Sequence, residues 1–346
     1  MRGLLFLVCA VTLATAVPTD GRTYSRELAT GHARLVDVRL LRRFASDVDR
    51  PFLLDLSPDG SLVSVSWRGE LGLLDLRSNT VRPIEPSRPA GGYDAHALFS
   101  PDGRRLLYRH WAALLLLDVT SGRTSELART ASWGDFAWLA DGRIAFSDDG
   151  RLKLVRPGGR PHLVAGIPRM SRWAISSTGR RILYDRRCET FLFDRVTGRT
   201  RRLSKHMFVL PRSWSPSGTH FILQWAEECK PKTDALWTYH SYDVLYGARG
   251  HAIATLVGRG ATWSSDSKLL FTYPQQTGTA TYGLEALNAA DLPGRRDSAL
   301  VQEGNAYTEA FVGPGRWVVF SRYDRPNRVS HSETSGGLYI GRIAGR

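Results

Sequence analysis

Five polar residues recur at one position of a repeated pattern, six or seven residues before a tight turn. They are His96, Asp135, Arg172, Arg212 and Glu309. A guanidinium group binds a carboxylate or a phosphate through two parallel hydrogen bonds. Two arginines beside an imidazole and two carboxylates can therefore hold an anionic ligand. If the repeats bring these positions together, the sequence predicts a binding site of mixed charge.

Aromatic and basic residues accompany this set in the segments that lead into the repeats. They are Tyr93, Trp133, Arg169, His206, Arg259 and Tyr307. Aromatic and arginine side chains on one surface are typical of contacts with a peptide or a glycan. The alternative is that the polar residues only satisfy one another in a solvated channel. The predicted ligand-binding set is His96, Asp135, Arg172, Arg212, Arg259, Tyr307 and Glu309.

No catalytic motif accompanies this set. The sequence has no G-x-S-x-G, H-E-x-x-H or G-x-G-x-x-G pattern and no P-loop. Its histidines lack the spacing of metal ligands, so we expect no metal and no cofactor. These absences favour a non-enzymatic protein that binds at the channel mouth. The alternative is a hydrolase or lyase whose acid and base come from Glu309, Asp135 and His96.

Seven repeats provide the elements that would position these residues. In each, a large apolar residue is followed four positions later by a turn residue and then by a short apolar run. The apolar residues are Leu56, Phe99, Trp138, Ile175, Trp214, Trp263 and Phe311, and the turn residues are Gly60, Gly103, Gly142, Gly179, Gly218, Ser267 and Gly315.

The spacing of the repeats indicates the fold. Successive turn residues are 43, 39, 37, 39, 49 and 48 positions apart, in or near the period of a four-stranded propeller blade. The sequence therefore predicts an all-β, seven-bladed β-propeller of four-stranded antiparallel blades, with six or eight blades as the alternative. Because innermost strands converge on one channel, the polar positions should surround its mouth.

The last repeat stops after its third strand, so closing the ring requires a strand from elsewhere. Residues 317–320 and 338–343 are predicted as its second and third strands. In the segment 33–45, Val36, Val38 and Leu40 alternate with polar residues, as in a half-covered strand. We predict that this segment supplies the missing strand and leaves no open sheet edge in the propeller, which spans residues 33–346.

Three repeats also share an aspartate at a fixed distance from the turn glycine. Asp75, Asp118 and Asp194 each lie 15 residues past their turn glycine, at the end of a third strand. One carboxylate in each repeat is most simply explained by a hydrogen bond to its own hairpin. We predict a structural role for all three.

The best-conserved form of the pattern within the chain is Phe99-Ser100-Pro101-Asp102-Gly103 with Leu106-Leu107-Tyr108. It continues with Leu116-Leu117-Asp118-Val119, Ser121-Gly122 and Leu127. These repeats resemble the TolB-type, WD-like β-propeller repeat over nearly the whole chain after its first segment. The resemblance implies a propeller of the kind that occurs in periplasmic envelope scaffolds, in regulatory propellers fused to peptidases and in other exported proteins. TolB carries an α/β domain before its propeller, and residues 17–50 are too few to form one.

The first residues have the pattern of a secretory signal. Arg2 is followed by the apolar stretch 3–13 and by Ala14-Thr15-Ala16, an A-x-A cleavage site. We predict a signal peptide at 1–16, a flexible segment at 17–32 and no membrane-spanning segment after cleavage. The protein is then exported to the periplasm, the cell surface or the extracellular space.

Charge and cysteines complete the expectations. The formal net charge is +14, and the excess comes from arginines scattered over every repeat. Scattered arginines do not indicate a specific nucleic-acid site. We expect a monomer whose partner is a protein, a peptide or an acidic polysaccharide. Cys188 and Cys229 lie in equivalent loops of adjacent repeats, and form either a disulfide or two separate thiols.

Overall fold

The chain forms strands wherever regular structure is described. A computed structural model describes residues 22–24, 34–45, 51–67, 70–84, 96–130, 135–187, 189–205, 207–225, 243–256, 259–263, 269–275, 284–291, 296–301, 307–313, 317–323 and 335–344. Within this part of the chain, no helix is long and apolar enough to cross a membrane. The predicted signal peptide and both Cys188 and Cys229 lie outside the described residues.

The described strands follow one another at short intervals. In chain order they are β1 (Arg22–Tyr24), β2 (Arg34–Phe44), β3 (Phe52–Leu56), β4 (Leu62–Trp67), β5 (Glu70–Asp75), β6 (Thr80–Pro83), β7 (Ala97–Phe99), β8 (Arg105–His110), β9 (Ala113–Asp118), β10 (Thr124–Arg129), β11 (Phe136–Trp138), β12 (Ile144–Asp148), β13 (Arg151–Val155), β14 (His162–Leu163), β15 (Trp173–Ile175), β16 (Arg181–Arg186), β17 (Glu189–Asp194), β18 (Arg199–Lys205), β19 (Met207–Trp214), β20 (His220–Trp225), β21 (Asp243–Gly247), β22 (Ala252–Leu256), β23 (Arg259–Trp263), β24 (Leu269–Gln275), β25 (Leu284–Asp291), β26 (Arg296–Val301), β27 (Tyr307–Val312), β28 (Trp317–Tyr323) and β29 (Gly336–Ala344).

These strands form seven sheets in the described part of the chain, which we number blades 1 to 7. Blades 1 to 6 are β3–β6, β7–β10, β11–β14, β15–β18, β19–β22 and β23–β26, and blade 7 is β27–β29 with β2. Each blade is an antiparallel meander, and β2 pairs antiparallel with β29. The prediction of an all-β propeller of four-stranded antiparallel blades, closed by an N-terminal strand, is confirmed. Blade 5 also carries β1, which runs parallel to β22.

The first strands of the blades are the inner strands and form a closed ring. Contacts join β3 to β7, β7 to β11, β15 to β19, β19 to β23, β23 to β27 and β27 back to β3. Blades 3 and 4 are joined where the Ala140 N–H donates to the Ser177 carbonyl at 2.8 Å. The residues that begin the inner strands therefore surround one channel.

The recurring turn explains why the apolar residue and the turn residue of each repeat have the same spacing. In blade 2, the Gly103 N–H donates to the Ser100 carbonyl at 2.8 Å, and the Ser100 hydroxyl donates to the Asp102 carboxylate at 2.6 Å. Gly103 has φ of +71°. Such a conformation is open to glycine without steric cost. The turn glycines of blades 1, 3, 4 and 5 also have positive φ, whereas Ser267 and Gly315 lie outside the described residues.

The three aspartates cap their hairpins as predicted. Asp75 accepts from the N–H groups of Arg77 and Ser78 at 2.9 and 2.7 Å. Asp118 accepts from the Ser121 N–H at 2.7 Å, and Asp194 from the next turn's N–H groups. Hydrogen bonds from the backbone hold the pKa of Asp75 and Asp118 below the usual range. Their structural role is confirmed.

The core lies between successive blades. The cluster between blades 3 and 4, for example, packs Leu139, Leu152 and Leu154 against Trp173 and Ile182. Similar clusters join blades 7 and 1, 1 and 2, 2 and 3, and 4 and 5. Strands covered on both faces explain the continuous apolar runs such as Leu114–Leu117.

Three of the repeated apolar residues are tryptophans that bond the preceding blade. The indole N–H of Trp138 donates to the Leu98 carbonyl at 3.0 Å, that of Trp214 to Ala174 at 3.3 Å, and that of Trp263 to Ser213 at 3.0 Å. Each acceptor directly precedes the repeated apolar residue of the neighbouring blade. The repeat position therefore both packs the core and links the blades.

Replacing Trp214 by phenylalanine tests this link. The variant retains an aromatic ring, which in the parent lies 4.9 Å from the Phe221 ring between centroids, and loses the indole donor. We expect a loss of about 1–2 kcal/mol in the free energy of unfolding, measured by urea denaturation. Trp317→Phe is the matched control, since Trp317 is 40% exposed. Equal losses in both variants would contradict the inter-blade role.

Candidate functional site

The inner strands begin on one face of the ring, which we call the mouth face. Neighbouring strands are antiparallel, so each inner strand begins beside the end of the second strand of its blade. Ala97 pairs with Tyr108, and Trp173 pairs with Tyr184. The Asp185 N–H donates to the Arg172 carbonyl at 2.9 Å, and the Ser147 N–H to the Asp135 carbonyl at 3.1 Å. The mouth face thus combines residues from two strands of each blade.

Asp135 is the centre of a cluster of ionisable groups from blades 2, 3 and 4. Burial raises the pKa of its carboxyl group, and the charges of His96, Arg172 and Arg109 partly oppose this rise. The structure therefore brings together His96, Asp135 and Arg172, three of the residues that the sequence predicts. We call these residues, with Arg109 and Asp185, the mouth cluster.

Arg109 and His96 form the blade 2 side of the mouth cluster. Arg109 is only 8% exposed, and its guanidinium donates to the Thr130 hydroxyl at 2.7 Å. Burial lowers the pKa of Arg109, and Asp135 opposes that change. His96 is exposed and meets Phe136 edge to face, with the ring centroids 6.2 Å apart. Blade 2 therefore places one buried cation and one exposed imidazole beside Asp135.

Arg172 and Asp185 form the blade 4 side. The Arg172 guanidinium lies over the Phe208 ring of blade 5, 4.8 Å from its centroid, a cation–π arrangement. The Asp185 carboxylate accepts from the Val209 N–H at 2.9 Å and from the Thr190 hydroxyl at 2.8 Å. Burial raises the pKa of Asp185 to about 6, against the effects of these bonds and of Arg172. Asp185 thus ties blade 4 to the inner strand of blade 5.

An exposed rim lies beside the mouth cluster, at the hairpins between the second and third strands of blades 2, 3 and 4 and at Arg169, which pairs with Asp149. Trp111, Asp149 and Arg187 occupy the tips of three such hairpins, with φ of 54°, 51° and 49°. Trp111 is 57% exposed. The left-handed conformation is costly for bulky residues, yet three successive blades present large or charged side chains there. The rim consists of Trp111, Asp149, Arg169, Arg186 and Arg187.

In and beside the rim, the carboxylates have ion-pair partners, whereas two of the arginines do not form ion pairs with described residues. The carboxylates beside or within the rim are ion-paired: Asp148 with Lys153 at 2.7 Å, Asp149 with Arg169 at 2.5 Å and Glu189 with Arg202 at 3.0 Å. Arg186 and Arg187 are exposed and form no ion pair with another described residue. The rim therefore offers two cations and an aromatic ring to a ligand.

Four predicted site residues lie on inner strands without described side chains. Arg212 is on β19, Arg259 on β23, and Tyr307 and Glu309 on β27. Pairing in β19 shifts between Val209 and Trp214, so Arg212 falls in an irregular stretch. Phe208, opposite Gln224, takes the ladder position that corresponds to Arg172. Whether Arg212, Arg259, Tyr307 and Glu309 reach the ligand stays a prediction.

Arg109 and Asp185 were missed by the search for residues before the turn. Each lies six positions after its turn glycine, at the end of an apolar second strand. A charged residue that ends a buried run is the signal that would have identified both. Trp111 was missed because a tryptophan in a repeat of apolar residues resembles core until its exposure is known.

Among the described residues, no group of histidine, cysteine, aspartate and glutamate is arranged to hold a metal ion. The mouth cluster contains two guanidinium groups, an imidazole and two carboxyl groups with raised pKa. These can bind an anionic group or exchange a proton near neutral pH.

Comparisons with known proteins support the fold. No protein-family model and no curated protein matches the chain. Among solved structures, an oligogalacturonate lyase in complex with manganese is similar, with a TM-score of 0.60, 11% identity and coverage of 91% of this chain and 98% of the lyase. The β-propeller domain of Myceliophteria thermophila Cps50 (Swd1) gives a TM-score of 0.57 and 10% identity, covering 89% of this chain and all of that domain. At such identity the likeness establishes a propeller and no function.

Proposed function

We propose that this chain is an exported, TolB-like propeller that binds an acidic segment of another protein at the mouth face. The observation that carries the proposal is the rim, where Trp111, Arg186 and Arg187 are exposed while the neighbouring carboxylates are already ion-paired. Tryptophan and arginine dominate the binding energy of protein interfaces. The net charge of +14 would steer an acidic partner toward the chain.

The mouth cluster adds a second binding element on the same face. The Arg172 guanidinium stacks on the Phe208 ring, and its charge acts on the carboxyl groups of Asp135 and Asp185. A guanidinium fixed in this way is already ordered before the ligand arrives, which lowers the entropic cost of binding. His96, exposed beside Asp135, adds an imidazole that can donate a hydrogen bond to a ligand.

A binding assay with matched variants tests the proposal. The probe is a fluorescein-labelled ten-residue peptide of alternating glutamate and glycine, and binding is followed by anisotropy. We expect Arg186→Ala with Arg187→Ala to weaken binding at least about tenfold, because each interfacial charge pair contributes a kcal/mol or more. Trp111→Ala should weaken it by a similar factor.

The control is a pair of exposed arginines away from the mouth face. Arg104 and Arg123 follow the opposite hairpins of blade 2. The double variant Arg104→Ala with Arg123→Ala removes the same charge and should leave binding within about twofold. Equal weakening by both double variants would mean that the peptide senses only net charge, and the mouth-face proposal would then be rejected.

A second candidate function is cleavage of an acidic oligosaccharide, since Asp135 has a raised pKa beside the exposed His96 and Arg172. A guanidinium that neutralises a sugar carboxylate eases removal of the adjacent proton by a nearby base. Incubation with oligogalacturonate, followed by ultraviolet absorbance of an unsaturated product, separates the two functions. Product that disappears in Asp135→Asn would favour the lyase, and no product would favour binding.

A further inference from the structure

The outer edge of blade 5 differs from the other outer edges that the structure describes. It alone carries an additional strand, the parallel β1, with Arg22 opposite Ala254, Thr23 opposite Thr255 and Tyr24 opposite Leu256. Residues 22–24 belong to the segment that the sequence predicts to be flexible. The short strand β1 therefore covers the outer edge of β22.

The composition of the outer strands gives the reason. Sheet edges present unpaired N–H and C=O groups, and proteins blunt them with charges, proline or very short strands. Six of the described outer strands use these devices: β6 contains Arg82 and Pro83, β10 contains Glu126 and Arg129, β14 has two residues, β18 is Arg-Thr-Arg-Arg-Leu-Ser-Lys, β26 begins Arg-Asp, and β2 contains four arginines and an aspartate.

The outer strand β22 has none of them. Its sequence, Ala252-Ile253-Ala254-Thr255-Leu256, lacks charge and proline over five residues. Two independent observations thus coincide at one place: the edge without protective residues is the edge that carries β1.

We propose that the outer edge of β22 is a self-association surface that the chain's own residues 22–24 cover. When the cover is displaced, two copies join by antiparallel pairing of their β22 strands. A two-fold axis then places the same strand on both sides of the interface. This inference concerns blade 5 and is independent of the ligand at the mouth face.

The absence of charge in β22 favours the same strand of a second copy as the occupant. Like charges opposite each other destabilise paired strands, so two β18 edges would oppose arginine to arginine. Two β22 edges oppose only uncharged residues. The cover is also small, since β1 pairs through three residues, and such short elements open at low free-energy cost.

The test uses the full chain with Arg22→Gly, Thr23→Pro and Tyr24→Gly, which removes the strand propensity and one backbone donor of β1. Mass is measured by light scattering during gel filtration over a range of protein concentration. We expect the parent to remain a monomer and the variant to double its mass at micromolar concentration. Arg26→Gly, Glu27→Pro and Leu28→Gly, outside β1, form the control and should remain monomeric.

A peptide then identifies the edge. A synthetic peptide of residues 20–26 should return the variant to monomer, whereas the same peptide N-methylated at residues 22, 23 and 24 should not. Amide hydrogen exchange at those residues of 252–256 whose N–H groups face away from β21 should be slow in the parent and in the dimer and fast in the diluted variant. A variant that stays monomeric, assembles beyond the dimer, or dimerises with no response to the peptide would overturn the proposal.

Discussion

A chain that begins at Val48 should lose the cooperative unfolding of the parent. Without β2, blade 7 keeps only three strands, and the outer edge of β29 is exposed along its length. Ring closure joins the first and last parts of the chain, so its loss separates blades that otherwise unfold together. Urea denaturation followed by tryptophan fluorescence and circular dichroism measures this loss as a broadened transition at lower urea.

Burial in β2 sets the size of the effect. Leu41 and Phe44 are 5% and 4% exposed, and Leu41 packs with Leu53, Val63 and Leu338 across blades 7 and 1. Each buried side chain contributes about 1.5–3 kcal/mol. The Arg39 guanidinium also donates to the Leu76 carbonyl of blade 1 at 2.7 Å. Since domains are stable by about 5–15 kcal/mol, the truncated chain should be largely unfolded or only marginally stable.

Substitutions of two adjacent leucines in the full chain distinguish the loss of ring closure from the effect of shortening the chain. Leu41→Ala in the full chain should cost about 2–4 kcal/mol because the side chain is buried. Leu40→Ala should cost less than about 1 kcal/mol, since Leu40 is 40% exposed. If the truncated chain unfolds at the parent's urea midpoint in one transition, β2 does not stabilise the ring.

The sequence predicted the fold because the signal of a propeller is periodic and local. Ser100, Asp102 and Gly103 form their turn with hydrogen bonds to one another. Four consecutive residues are therefore enough to predict the turn. Asp118 likewise bonds the hairpin that follows it. Such self-contained elements can be found without knowledge of any neighbour, and their spacing then gives the blades.

The site was predicted only where the strand register is regular. His96, Asp135 and Arg172 precede short, uninterrupted inner strands, and counting back from the turn finds them together. In β19 the register shifts between Val209 and Trp214. Counting therefore selects Arg212, while Phe208 occupies the corresponding place. An insertion within a strand leaves the period of the repeat almost unchanged, which is why spacing alone did not show it.

A second reason why the site was predicted only in part is that side-chain contacts outside a residue's own strand are not visible in the repeat pattern. Arg109 and Asp185 lie at the same repeat position, and their side chains reach different neighbours, Thr130 in one case and Val209 of the next blade in the other. The repeat pattern gives the position of a residue in its blade, but it does not show which residue of the same or the next blade its side chain contacts. Once the ring is known, these two residues complete the mouth cluster.

The pH dependence of stability should carry the signature of Asp185. Its pKa is raised from 3.8 to about 6 in the folded chain, so the folded state binds the proton more tightly than the unfolded state. The resulting stabilisation is fully present below the unfolded pKa and is lost as the pH rises through the folded pKa. Between about pH 4 and about pH 8 this loss should approach about 3 kcal/mol.

Asp185→Asn should remove that loss and become more stable than the parent above neutral pH. An asparagine at this position can accept from the Val209 N–H through its carbonyl and donate to the Thr190 hydroxyl through its amide. Thr190 can then donate to the Met207 carbonyl, 2.6 Å away. The neutral side chain keeps these bonds at every pH and avoids burial of a charge.

Urea denaturation of the parent and of Asp185→Asn at several values between about pH 4 and about pH 8 measures the difference directly. Asp118→Asn is the control of opposite sign. The pKa of Asp118 is lowered by hydrogen bonds from Ser121, so its stabilisation is present above the unfolded pKa and is lost as the pH falls. If Asp185→Asn and the parent gave parallel profiles, Asp185 would titrate alike in both states, and the bond from blade 4 to Val209 would not depend on its protonation.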